Sequence, residues 1–258
     1  MIIKTESLPS RGIPYQYKEI EMEGFKVPQI MKLSKASSLK SIKPAIDALD
    51  DVLSVVASEL TDGDFFYLLT LQRLAYSKPL FTEWHCDEIL YYDEGDDTTF
   101  LTKQQIKDKV EEYEATEDKE GLTDPNEIKL VPGKCMTFNK HILTVHDLTI
   151  TYLEEEPLNE GIDYPRIETL TDAIKDGEDP EMHYLAQAIR WLRTETRSYL
   201  AKKDLLLGLP DTTLLEQAMA YNNKVIHGVN KRVVCPCSKC GHKTAHILDI
   251  GPESFFDV

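Results

Sequence analysis

The chain has 258 residues, enough for one large domain or two modest ones, and its hydrophobic fraction of 41% is that of a globular protein. Its 45 acidic against 29 basic residues leave a net charge of −16, which repels phosphate backbones and argues against nucleic acid as a partner. No stretch approaches the ~20 apolar residues of a membrane span, and the opening Met1-Ile2-Ile3-Lys4-Thr5-Glu6 lacks the apolar core and cleavage site of a signal peptide.

Residues 1–26 read as an extended arm. Leu8-Pro9-Ser10-Arg11-Gly12-Ile13-Pro14 cannot be helical, and Tyr15, Tyr17, Ile20 and Met22 suggest one imperfect strand before Gly24. The region 27–156 reads as helices with a small mixed strand region. Ile42, Ile46, Leu49, Leu53, Val56 and Leu60 form one stripe, which predicts a helix over 38–60 that begins close to Pro44. Thr61-Asp62-Gly63-Asp64 breaks and caps, and a strongly apolar helix follows from Phe65 to Tyr76, stopped by Pro79.

Strand and turn are expected over 80–92 around Cys86. The acidic run Asp93-Glu94-Gly95-Asp96-Asp97 then opens a polar surface insert, about 93–127, carrying a thin helix near 102–118. Strands return at 128–138 and 144–153. Glu154-Glu155-Glu156-Pro157 begins a linker into a helical region, 157–258, with helices over 167–174 and from 179 to 192. Leu205-Leu206-Leu207-Gly208-Leu209-Pro210 reads as a break, and Thr213-Leu214-Leu215-Glu216 as a capping box for the next helix. A cysteine-rich knuckle (about 233–250) and a short strand over 246–250 end the chain. The fold class expected is α+β, predominantly helical, with small strand regions and a C-terminal zinc-knuckle-like element.

The chemistry concentrates in Cys235-Pro236-Cys237-Ser238-Lys239-Cys240-Gly241-His242. A Cys-x-x-Cys-Gly turn sets two thiolates one metal radius apart, and its glycine permits the tight turn behind the second sulfur. A structural zinc ion with Cys237 and Cys240 as ligands is the functional reading; free thiols in a proline-stiffened turn, or a disulfide, are the alternatives. A structural site needs four ligands, so Cys235, His242 or His246 could complete it, and so could Cys86 or His85 from the earlier strand region. The five cysteines, odd in number with three crowded together, fit metal binding in a reducing compartment better than a secreted disulfide framework.

His141 and His146 beside Asp147, like His183 and His227, read as ordinary side chains rather than ligands. The runs 93–97 and 154–156 lack the ligand spacing of an EF-hand. No phosphate-cradling glycine loop, nucleophile elbow or zinc-protease helix occurs, so nothing supports catalysis.

The order of landmarks carries a resemblance. Leu8-Pro9-Ser10-Arg11-Gly12-Ile13-Pro14-Tyr15, the helix segment Phe65-Phe66-Tyr67-Leu68-Leu69-Thr70-Leu71-Gln72-Arg73-Leu74-Ala75-Tyr76-Ser77, Cys86, and Cys237-x-x-Cys240-Gly241 before Phe255-Phe256 follow one another along the chain. In this it resembles the baseplate hub assembly proteins of T-even-type contractile-tailed bacteriophages. That family carries a mid-chain Cys-x-x-Cys, whereas this chain offers Cys86-Asp87-Glu88-Ile89 behind His85, so four-cysteine coordination is not carried over.

The resemblance implies a non-enzymatic tail protein, either a hub component or a chaperone of the hub or the tape measure protein. It would be made in the host cytoplasm and could be retained in the virion. A tape measure exposes long apolar stripes before the tube encloses it, and an acidic helical partner can keep such stripes soluble. Leu205, Leu206, Leu207, Phe255 and Phe256 are the candidate contact residues, with internal packing as their alternative. A zinc-stabilised adaptor without a tail role, and a mixed Cys/His metal hydrolase, are the competing readings.

Overall fold

The computed structural model describes residues 1–39, 42–76, 79–93, 96–116, 130–154, 164, 166–167, 185–186, 188–189 and 198–248. Among the described residues helix makes up 43% and strand 26%, in six helices and eleven strands that form small sheets. The chain is therefore mixed α and β, which corrects the expectation of a predominantly helical fold. The strands are three to seven residues long, and such short runs leave little period-two signal to read. No helix among the described residues is long and apolar enough to cross a membrane.

The chain divides into two compact units, each assembled from separated stretches. One draws on 1–78, 144–231 and 248–258, the other on 79–143 and 232–247.

In the first unit, strand β1 (Ile2–Lys4) pairs antiparallel with β2 (Glu19–Glu21), so the arm folds back on itself. The stripe expected as one helix over 38–60 is helical only in its first part, and its later residues lie in extended backbone and a single turn of 3-10 helix. Helix α1 (Val27–Leu39) accepts Pro28 in its first turn, where no backbone donor is needed. Helix α2 (Lys43–Asp50) ends where Val52-Leu53-Ser54-Val55-Val56 leaves the helix; Leu53 bridges to Met22, and Val56 is exposed. Helix α3 (Asp62–Tyr76) forms where the apolar run predicts it. Leu8, Ile20, Leu33, Leu49, Phe65, Leu68 and Ile167 form the core.

Strand β8 (Thr149–Thr151) pairs with β9 (Gly228–Asn230), which lies against α3. That contact is close: a Cβ on Gly63 would sit 2.5 Å from the His227 carbonyl oxygen, so only glycine fits there.

Helices α5 (Tyr199–Leu207) and α6 (Thr213–Lys224) lie further along the chain. Leu205, Leu206 and Leu207, read as part of a break, lie inside α5, whose C-cap is Gly208. The capping box expected at Thr213 does not form; the Asp211 carboxylate accepts the Thr213 amide instead. Most residues of the helices expected over 167–174 and 179–192 lie outside those described, as do Phe255 and Phe256.

A buried polar network ties the arm to the N-terminus of α3. Asp64, fully buried, accepts from the Ser10 amide at 2.9 Å and from the Tyr15 hydroxyl at 2.6 Å. The same hydroxyl accepts from the Thr61 amide at 2.9 Å, and Thr61 Oγ1 lies 2.7 Å from Nε2 of the buried His227. His227 Nδ1 faces the Val225 carbonyl, which only accepts, so the proton sits on Nδ1 and the Thr61 hydroxyl donates to Nε2. Burial first, and then the Asp64 charge, push the Tyr15 hydroxyl well above the usual tyrosine range, so it stays a donor. Tyr15→Phe leaves the Asp64 carboxylate short of a donor and the Thr61 amide without its acceptor. The expected loss is about 1–3 kcal/mol of stability, read as a lower urea midpoint at unchanged slope.

Candidate metal centre

The second unit is built from ribbons. Strand β3 (Phe81–His85) pairs with β7 (Phe138–Ile142); β4 (Ile89–Asp93) lies between β5 (Asp96–Thr102) and β6 (Leu130–Lys134); β10 (Arg232–Pro236) pairs with β11 (Lys243–Ile247). The acidic run expected to open a polar surface insert thus contributes a strand, and helix α4 (Lys103–Ala115) follows it, opened by a Thr102–Gln105 capping box.

Three turns of these ribbons bring four thiols together. Cys86 follows β3, Cys135 joins β6 to β7, and Cys237 and Cys240 lie in the β10–β11 connection. Their sulfurs all fall within 4.8 Å of one another. Cys86 Sγ is 3.6 Å from Cys240 Sγ, and Cys135 Sγ is 3.7 Å from Cys237 Sγ. Cys86, Cys135 and Cys237 are buried and Cys240 is half-buried. Among the described residues this is the one group of His, Cys, Asp and Glu with the geometry to hold a metal ion.

Cys237, Cys240 and Cys86, each a candidate from the sequence, lie in the group. Cys235 and His242 do not. Cys235 is buried on β10 opposite Thr244, apart from the four clustered sulfurs. His242 Nδ1 lies 2.9 Å from Glu88 Oε2, while its carbonyl accepts the Cys237 amide. His85 stacks near Phe138 with ring centroids 5.3 Å apart, and His246 near Trp84 at 4.7 Å.

The fourth thiol, Cys135, was not among the candidates. One signal was available: a four-ligand site begun by the knuckle and Cys86 needs one more donor, and Cys135 is the one cysteine left unassigned. Of the candidate contact leucines, Leu206 is buried against Ala188, Ile189 and Ala218, whereas Leu205 and Leu207 are exposed.

Neighbouring groups fix the sulfurs. Buried Asn139 on β7 accepts from the Ser238 amide at 2.8 Å and the Ser238 hydroxyl at 2.9 Å, and its amide donates to the Thr137 carbonyl and to Cys237 Sγ at 3.5 Å. Lys239 extends over the rings of Tyr92 and Phe100. Burial pushes the Cys237 thiol up. The amides of Cys240 and Lys239, with the Asn139 side chain, outweigh it and bring the thiol down to about 6. Burial raises Cys86 and Cys240. Of these three thiols, Cys237 is the one held most readily as a thiolate.

No protein family, no curated protein and no solved structure matches the chain.

The geometry separates the cysteines cleanly. Cys135→Ser should abolish uptake of cobalt(II), followed by its thiolate charge-transfer absorption, whereas Cys235→Ser should bind one ion per chain with an unchanged spectrum. Equal behaviour of the two variants would contradict this assignment.

Proposed function

We propose that this chain is a non-enzymatic assembly protein of a contractile bacteriophage tail, a baseplate hub component or a chaperone of the hub or tape measure protein, with a structural zinc ion in its second unit. The observation that carries the zinc reading is the convergence of four thiols. Tetrahedral zinc with bonds of about 2.3 Å places its sulfurs about 3.8 Å apart, and the 3.6 and 3.7 Å separations fit that shell.

Four thiolates fill the shell and leave no position for a substrate or water, which is how structural zinc differs from catalytic zinc. This favours a scaffold over the hydrolase reading. Zinc, when bound, would supply a charge that holds the thiolates together, and Cys86, Cys135, Cys237 and Cys240 would be its ligands.

Two features support a role in protein contact. The outer face of the β3–β7 ribbon exposes Phe81, Phe138 and Ile142 around the Glu83–Lys140 ion pair. Such a face is more apolar than a surface without a partner needs to be. The net charge of −16 keeps a chain with exposed apolar residues soluble. The tail role itself rests on the order of sequence landmarks.

Two measurements test this reading. Elemental analysis should give one zinc per chain, and a strong chelator should loosen the second unit while most of the helical circular dichroism persists, because α1 to α3 have their own apolar core. Affinity capture from infected cells should recover hub or tape measure protein. Recovery of host proteins alone would refute the tail role and leave the zinc site standing.

A further inference from the structure

The two halves of the thiol group have the same backbone plan. In the C-terminal half, the Gly241 amide donates to the Cys237 carbonyl at 2.9 Å and the Cys237 amide to the His242 carbonyl at 2.8 Å. In the other half, the Met136 amide donates to the Cys86 carbonyl at 2.9 Å and the Cys86 amide to the Thr137 carbonyl at 2.9 Å. Cys86 therefore stands where Cys237 does, Cys135 where Cys240 does, and Met136 where Gly241 does.

The torsions agree. Gly241 has φ +71° and Met136 has φ +51°, a left-handed conformation that a methionine rarely adopts. The flanking ribbons match as well: β3 and β7 enter and leave one half as β10 and β11 do the other.

One difference remains. Between Lys239 and Cys240 the chain runs on directly, whereas between Glu88 and Cys135 it makes an excursion of 46 residues. The excursion leaves and returns at one place, because Ile89 and Lys134 are paired across β4 and β6 and the Cys135 amide donates to the Glu88 carbonyl at 2.9 Å. Its helix α4 buries no residue.

We propose that residues 89–134 are an insertion into a metal knuckle that would otherwise read Cys86-Asp87-Glu88-Cys135-Met136, and that the metal site is complete without it. The inference rests on the four thiols holding an ion. The insertion covers the site, since Leu90 is buried beside the thiols with Tyr92 and Phe100 packed on them, but none of its described residues supplies a ligand. It is an accessory element carried on a metal-locked base, so what it contacts is separable from metal binding.

The test joins Glu88 directly to Cys135 in the otherwise full chain and titrates cobalt(II). The shortened protein should bind one ion with the charge-transfer spectrum of the full chain and release it to a chelator up to about tenfold faster, as expected when groups around the ligands are lost. A second variant, Met136→Gly in the full chain, gives that position the residue its counterpart has, and should hold the ion about fivefold more tightly by removing left-handed strain.

Failure of the full chain to bind metal would overturn the four-thiol reading together with this one. A full chain that binds while the folded, shortened chain does not, or a Met136→Gly protein that holds the ion no better than the parent, would overturn the insertion alone. If the shortened chain does not fold, the Met136→Gly result decides.

Discussion

Convergence of four thiols is the constraint on which the second unit depends. Among the described residues, Leu90 is the one fully buried apolar side chain in the cluster around them, with Tyr92 and Phe100 packed alongside. Two-stranded ribbons are marginal by themselves, and small β units with so little apolar burial characteristically need a disulfide or a metal. Here the sulfurs occupy the place of a hydrophobic core. Cys86 is separated from Cys240 by 154 positions and Cys135 from Cys237 by 102, so a shared ion would close loops that the sheet hydrogen bonds close only weakly. Because thiolates are the ligands, such an ion binds with release of protons and more weakly as pH falls.

The first unit is held by different physics. Leu8, Ile20, Leu49, Phe65 and Leu68 are each fully excluded from solvent, and burial of that kind is the ordinary source of domain stability. Its specificity comes from a polar chain, Asp64 to Tyr15 to Thr61 to His227, in which every group has a partner. A buried carboxylate is costly unless hydrogen-bonded, so this network fixes where the N-terminal arm must lie. Gly63, with no room for a side chain against His227, fixes the approach of β9 in the same way. Both devices locate one segment; neither forms a catalytic arrangement with an open site.

In the proposed reading, the closed donor set and the exposed ribbon face point the same way: an ion enclosed by four sulfurs would act as a fastener and leave the surface for contact with another protein. Asn139 shows how far the fastening extends beyond the sulfurs, since one buried amide bonds the Cys237 sulfur, the Ser238 amide and hydroxyl, and the Thr137 carbonyl.

By itself the sequence determined what is local. The glycine-backed Cys237-x-x-Cys240 turn, the proline-broken arm, the capped apolar helix α3 and the polar helix α4 follow from neighbours within a few positions, where backbone sterics and periodicity act. The strand content was underestimated, because β5 lies in an acidic run and β10 in a segment dominated by its cysteines, so neither shows a clear apolar alternation. Cys135 was beyond local reach for a different reason. Its fellow ligand Cys86 is 49 residues away, and Met136 occupies the position where a glycine would have marked a knuckle. Only the tertiary structure, by closing β4 on β6 and β3 on β7, could show that these distant residues complete one turn.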